Sequence, residues 1–169
     1  MNQIEVRDAV KTLILLIDTR EQDTAKLRSR IEQAGLPYRR QKIDAGDYGA
    51  AVTVNGEELI LPVAVERKMS LDELANCFCG GRARFIREFE RAEVAGTKMY
   101  LLVEGASWEK AYAGQYRSRM SPASMVASLL TWSARYNCRI IFCKAETTGK
   151  IIAEILQREA IEWLSNIGP

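Results

Sequence analysis

The pair Asn55-Gly56, set between the apolar-rich stretches Ala50–Val54 and Glu57–Lys68, restricts the fold more than any other feature of the chain. A two-residue type I′ turn needs positive φ at both central positions. Asn and Gly tolerate that, so the two stretches are expected to pair as an antiparallel hairpin. With residues 55 and 56 as the loop, Asp47 faces Ala64 and Ala45 faces Glu66. Side chains alternate between the faces of a sheet, so Asp47, Glu66 and Lys68 share one side, with Asp47 and Glu66 diagonal neighbours about 7 Å apart. The opposite side carries Val52, Val54, Leu59, Leu61, Val63 and Val65, an apolar set that belongs against a core. Pro62 marks an edge or a bulge in the second arm, and a bulge there would move the register.

The rest of the chain alternates strands with helices. Thr12–Ile17 is a continuous apolar run ended by Asp18, the pattern of a buried strand. Asp23 or Thr24 caps a helix ending near Gly35, with Pro37 beyond it, and Tyr38–Ile43 is a second strand. Ser70-Leu71-Asp72-Glu73 opens a helix that Gly80-Gly81 breaks. Arg82–Ala95 places Phe85, Ile86, Phe89 and Ala92 at helical spacing beneath a basic outer face. A strand over Met99–Val103, a helix from Ser121-Pro122 to about Tyr136, a strand over Arg139–Phe142 and an amphipathic helix over Thr148–Leu164 follow. This order predicts an α/β sandwich formed as a single domain over residues 1–169, with no internal repeat or linker.

The chain contains no histidine, which removes the Ser-His-Asp triad, the Cys-His dyad and His-ligated zinc. Any catalysis must use other groups, above all carboxylates with a hard, oxygen-bound metal ion. Cys77, Cys79, Cys138 and Cys143 have spacings that match zinc sites poorly. A chain of 169 residues has core enough to fold without disulfides, so reduced thiols in an intracellular, cytoplasmic setting are expected. The apolar run Leu13–Ile17 is too short to span a membrane, and Glu5 and Asp8 argue against a signal peptide. The net charge of +2 neither demands nor excludes nucleic acid, so any basic surface must come from arrangement.

Two neighbouring carboxylates repel unless a proton or cation lies between them. Asp47 and Glu66 therefore suit an ion of the Mg²⁺ type, with Lys68 beside it to hold or polarise a water. Asp18, at the end of a buried strand, is a candidate third acid. The plainer alternatives are a turn at Gly46-Asp47 and a solvated Glu-x-Lys strand face.

These motifs, in their order, resemble the nuclease domain of the XPF/Hef structure-specific endonucleases. The family's Gly-Asp, spacer and Glu-Arg-Lys-x-x-x-Asp stand here as Gly46-Asp47 and Glu66-Arg67-Lys68-Met69-Ser70-Leu71-Asp72. Its Asp-x-Arg-Glu is matched by Asp18-Thr19-Arg20-Glu21, its Gly-Arg by Gly81-Arg82, and its Val-Glu-Gly by Val103-Glu104-Gly105. The resemblance runs over about residues 12–160. It implies a restriction-endonuclease-like three-layer sandwich, with a central mixed sheet flanked by helices, and Mg²⁺- or Mn²⁺-dependent hydrolysis of DNA phosphodiesters. It assigns metal binding to Asp47 and Glu66, a supporting metal role to Asp18, and water activation to Lys68. Arg67, Arg20 and Glu21 would support the site or engage phosphate, and Asp72 would brace it from the helix start. The helix-hairpin-helix and helicase modules of larger members, which contribute duplex grip and much of the choice of branched substrate, are not expected here, and the resemblance implies branched, flapped or forked DNA as substrate through the nuclease domain alone. The family pairs through its last helices, and Ala153, Leu156, Ala160, Ile161 and Leu164, with Trp163, offer such a homodimer face. The same residues equally suit a helix packed on its own core. A compact stand-alone form points to a bacterial or viral setting.

Candidate phosphate contacts are Arg82, Arg84, Arg87 and Arg91 on the third helix and Arg39, Arg40 and Lys42 on the second strand. Arg117 and Arg119 lie in a polar loop near Tyr112 and Tyr116, a mixture suited to backbone and an exposed base. The competing readings are a non-catalytic DNA-binding or scaffolding partner of the same fold, and a small-molecule enzyme. Scaffolding members lose the acidic cluster that this chain keeps, and a small-molecule enzyme has no Gly-rich phosphate loop to support it.

Overall fold

The computed structural model describes residues 1–167. Helix α1 (Gln3–Lys11) leads into strand β1 (Ile14–Ile17), helix α2 (Ala25–Ala34) and strand β2 (Tyr38–Arg40). Strands β3 (Tyr48–Val54), β4 (Glu57–Ile60) and β5 (Val63–Lys68) precede helices α3 (Leu71–Phe78) and α4 (Arg82–Val94). Strand β6 (Lys98–Glu104), helices α5 (Trp108–Tyr112) and α6 (Pro122–Arg135), strand β7 (Arg139–Cys143) and helix α7 (Thr148–Asn166) complete the order. The strands form one mixed sheet in the order β2-β1-β3-β5-β6-β7, with β4 paired to the far end of β3. Pairs β1–β2, β5–β6 and β6–β7 are parallel, and those made by β3 are antiparallel.

Two apolar layers sandwich the sheet. On one face Leu15, Ile17, Val52, Val65 and Leu102 pack under α1, α2 and α7. On the other, Ala64, Leu101 and Val103 pack under α3, α4, α5 and α6, around an aromatic group of Phe78, Phe85, Phe89 and Trp132. The apolar side expected for the hairpin is the first of these faces. The three-layer α/β sandwich expected from the motifs is what forms.

The hairpin turns at Asn55 and Gly56, both with positive φ, and Ala51 faces Ile60 as the turn requires. At Leu61-Pro62 the second arm leaves β4 and restarts as β5, so that Val65 faces Tyr48 instead of Gly46. The register has slipped by two residues. A slip of one would have turned Glu66 to the apolar layer, whereas a slip of two keeps its side. Asp47 and Glu66 become closer neighbours than the unbroken hairpin would make them. Gly46, at φ +74°, makes the entry turn into β3, where a Cβ would sit 3.0 Å from the Val65 carbonyl.

Some sequence expectations need correction. The second strand stops at Arg40 rather than Ile43, and an additional helix, α1, forms ahead of β1 under an Asn2–Glu5 capping box. The polar stretch before Ser121 contains the short α5. The homodimer face expected on the last helix is already occupied. Ala153, Leu156, Ala160 and Leu164 are buried in the chain's own core, with Ile161 and Trp163 packed against it, because α7 lies on the sheet beside α1 and α2.

Gly149, in the first turn of α7, lets that helix cross α2 closely: a Cβ there would overlap the Arg30 carbonyl. Gly149→Ala is expected to destabilise the fold by about 1–3 kcal/mol through overpacking, despite the better helix propensity of Ala. Urea unfolding of the two proteins measures it, and equal midpoints would refute the close-crossing argument.

Candidate active site

A cleft of about 460 Å³ opens where β1, β3 and β5 end beneath α3 and α4. Asp47 and Glu66 form its floor, with Lys68 on the same side of the sheet, as the period of the strand requires. Glu66 is 3% exposed and Lys68 9%. The Lys68 ammonium donates to Glu66 Oε1 and lies 5.3 Å from the centre of the Phe85 ring. Glu66 Oε2 is buried without a hydrogen-bond partner. Asp47 Oδ2 accepts the Arg67 backbone N–H at 2.8 Å, and the Asp47 N–H donates to the Val65 carbonyl at 2.9 Å. The carboxylate is thereby fixed to β5 from both ends of the residue.

Burial pushes the Asp47 carboxyl up from the ordinary 3.8 to about 7, helped by the negative charge of Glu21. Burial, with Asp47 alongside, raises Glu66 well above the usual carboxylate range. For Lys68 burial works against the charge, but the Glu66 carboxylate more than offsets it and holds the ammonium above its ordinary range. Each carboxylate is therefore short of positive charge in spite of the lysine.

The other expected residues divide by position. Asp18 is 1% exposed and forms no part of the cleft wall. Its Oδ1 accepts from the Arg20 N–H at 2.8 Å and Nε at 2.6 Å, and its Oδ2 from the Ile43 N–H at 3.0 Å and Arg20 Nη2 at 3.1 Å. These bonds outweigh burial and hold its pKa low. They also aim Arg20 at the cleft, which Arg20 and Glu21 line. Arg67 points by strand parity to the opposite layer, where Nη1 lies 3.5 Å from Glu104 Oε2 and Nε has no partner. Its amide, not its guanidinium, touches the site. Asp72, in the first turn of α3, lies outside the cleft wall and accepts the Arg117 N–H.

Of the candidate phosphate contacts, Arg84 lines the cleft. Arg82 instead lies over Trp132, 5.3 Å from its ring, and donates to the Phe78 carbonyl at 3.3 Å. Arg39 is bound by both outer nitrogens to Glu58, and Arg40 donates to the Thr19 and Glu21 carbonyls. Arg87 is exposed on the far side of α4, beside Glu90 and Val94. Arg117 and Arg119 are exposed on their loop.

Sequence reasoning missed Glu88, Glu73, Asn76 and Cys77, which complete the wall. Glu88 Oε1 accepts the Gly46 N–H at 3.2 Å, so α4 holds the turn that carries Asp47. Its signal was spacing: Glu88 stands three residues after Phe85 and four after Arg84, on the edge of the buried stripe. Five carboxylates and three cations line the cleft, a formal deficit of two positive charges. That deficit, the partnerless oxygen of Glu66 and the paired raised carboxyls fit a divalent cation bound by Asp47 and Glu66 with waters completing its shell. Among the described residues no group of three or more Asp, Glu, Cys or His side chains is arranged to hold a metal. A two-carboxylate site is what the geometry offers.

The mixed sheet, its two helical layers and an acidic cleft at the strand ends define a three-layer α/β sandwich with a site at the end of its sheet. The ERCC4 domain matches residues 17–155, and the chain belongs to the ERCC4-domain family. Its fold is similar to XPF from Aeropyrum pernix, with a TM-score of 0.62 and 21% identity over 88% of this chain and 69% of that one. The complex of Aeropyrum pernix XPF with DNA is equally similar, with a TM-score of 0.62 and 20% identity over 92% and 68% of the two chains. No curated protein matches the chain.

The raised Asp47 carboxyl couples stability to pH. Between the unfolded value near 3.8 and the folded value of about 7, the folded chain holds the extra proton. Stability therefore falls as pH rises through that window. In EDTA the Tm is expected to drop from about pH 5 to about pH 8, and Asp47→Asn, which keeps an acceptor for the Arg67 amide, flattens the dependence. An unchanged slope in the variant would show that Asp47 is not the group responsible.

Proposed function

We propose that the protein is a divalent-metal-dependent DNA endonuclease that hydrolyses phosphodiester bonds, with DNA carrying branched, flapped or single-stranded segments as its substrate. The observation that carries this reading is the pair of half-buried Asp47 and buried Glu66, short of positive charge and set beside Lys68 in an open cleft. Family membership and a fold neighbour solved with DNA support it.

Asp47 and Glu66 would hold Mg²⁺ or Mn²⁺, which when bound lowers the pKa of a water and stabilises charge on the phosphate oxygens. The chain supplies the remainder. Lys68, kept protonated by Glu66, cannot take a proton from water but can donate a hydrogen bond to the nucleophile or to a phosphate oxygen. Arg20, locked in place by Asp18, presents its remaining donors to the cleft and fits a non-bridging phosphate oxygen. Arg84 faces the same space from α4. Glu88 fixes the Gly46 turn and so the direction of Asp47. Asp18 acts through Arg20 and not as a ligand, because its oxygens are already engaged.

Cleavage of labelled single-stranded, duplex, flapped and forked DNA in Mg²⁺ or Mn²⁺ tests the reading. Asp47→Ala, Glu66→Ala and Lys68→Ala are each expected to lower the rate at least about a hundredfold. Mn²⁺ is expected to raise the Tm of the wild type at pH 8 and not of Asp47→Ala. Tight DNA binding with no cleavage by any protein would support the scaffolding reading instead.

A further inference from the structure

Asp72 has no place in the chemistry just described, yet its carboxylate is not a simple helix-end charge. Oδ1 accepts the backbone N–H of Arg117, forty-five residues away in sequence. That bond ties the start of α3 to the loop between α5 and α6. Glu73, the next residue, lines the cleft, and Lys68 lies four residues before Asp72 on the strand that feeds the helix.

The loop is an ordered ribbon. The Gln115 N–H donates to the Lys110 carbonyl at 2.9 Å, the Tyr116 hydroxyl to the Met120 carbonyl at 3.0 Å, and the Met120 N–H to Ser118 Oγ at 3.1 Å. Burial alternates along it. Tyr116, Ser118 and Met120 are half-buried, with Tyr116 and Met120 packed on the aromatic layer, while Gln115, Arg117 and Arg119 are exposed. Among the described residues neither Arg117 nor Arg119 has an ion-pair partner, in contrast to Arg20, Arg30, Arg39 and Arg67. The two unpaired cations stand two residues apart on the exposed side of this bent loop. Two exposed guanidiniums this near in sequence suit the phosphates of a nucleic-acid backbone.

Resting on the nuclease reading for the identity of the ligand, we propose that Asp72 is a positioning residue. It latches the Arg117–Arg119 ribbon to α3 so that the two guanidiniums hold a DNA backbone beside the Asp47–Glu66 cleft. The role needs only a hydrogen-bond acceptor at Oδ1, not a charge. Asn supplies that acceptor, whereas Ala and Ser do not reach the amide.

Binding of a labelled forked DNA, followed by anisotropy in EDTA across a salt series, tests the proposal without cleavage. Asp72→Ala is expected to weaken binding about tenfold, the effect of losing one hydrogen bond. Asp72→Asn should stay within about twofold of wild type, since an amide oxygen keeps the bond. The double variant Arg117→Ala/Arg119→Ala should weaken binding at least as much and lower the salt slope by about 1.4–1.8, two phosphate contacts' worth. Adding Asp72→Ala to that double variant should cost nothing further, because the latch acts only through the ribbon. Exchange of the Arg117 amide should be slow in wild type and Asp72→Asn and fast in Asp72→Ala. If Asp72→Ala does not fold, Asp72→Ser takes its place. Equal loss in Asp72→Asn and Asp72→Ala would overturn the latch, as would wild-type binding by the double arginine variant or by Asp72→Ala. Because binding is read without metal, a protein that cleaves nothing but follows this pattern loses the nuclease reading and keeps the latch. A protein that cleaves but breaks the pattern does the reverse.

Discussion

The placement of Asp47 against Glu66 governs everything around it. Two neighbouring carboxylates, Glu66 buried and Asp47 half-buried, oppose each other's ionisation. The fold tolerates them because Lys68 neutralises one oxygen of Glu66 and the Arg67 amide stabilises one oxygen of Asp47. That leaves Glu66 Oε2 without a partner and Asp47 titrating near neutrality. A chain selected for stability alone would fill these positions with apolar residues, as it does at Ala64 and Leu101 on the same face. The cost is confined to the cleft, which is where strained electrostatics serve chemistry.

The charge of the cleft bears on substrate as well as on catalysis. Fully ionised, its five carboxylates would outnumber its three cations, and burial raises the pKa of two of them, Asp47 and Glu66. On the proposed reading, a divalent ion would cancel that formal deficit, so its binding would both supply a Lewis acid and make room for a polyanion. Grip on DNA must then come from outside the floor. The overall charge of +2 gives little long-range attraction, so on that reading local unpaired arginines would carry the task. Several arginines that looked suitable are spent elsewhere: Arg82 covers Trp132 and Arg39 is bound to Glu58.

What the sequence revealed follows from the reach of each signal. The Asn55-Gly56 turn is local and sets the register of Ala51 against Ile60 without ambiguity. The parity of Asp47, Glu66 and Lys68 rests on the period of a strand and survived a two-residue slip at Pro62 that pattern alone could not size. The α/β alternation and most helix limits were legible from caps, as with Thr24, Ser70 and Ser121. Features made by distant contacts were not. Glu88 enters the site because α4 lies over the Gly46 turn, and Asp18 is engaged by the distant Ile43 amide as well as by the Arg20 amide and guanidinium, which leaves it no ligand role. The apolar face of α7 illustrates the limit: periodicity shows that a face is buried, not which surface buries it.

The back of the sheet explains why the floor can be rigid. Behind Glu66, Arg67 reaches Glu104, and Glu104 Oε1 accepts the Thr148 hydroxyl at 2.8 Å, joining β5, β6 and the start of α7. Behind Asp47, the Tyr48 hydroxyl accepts from Arg30 Nε at 2.9 Å, joining β3 to α2. Gly149 lets α7 close onto α2 between these two networks. The residues next to each floor carboxylate thus face the other way and anchor its strand to a helix. A strand with charged groups on one side and a polar clamp on the other cannot change register without breaking both. The alternation that separates Glu66 from Arg67 by face is therefore what lets one short strand serve the cleft and fix it.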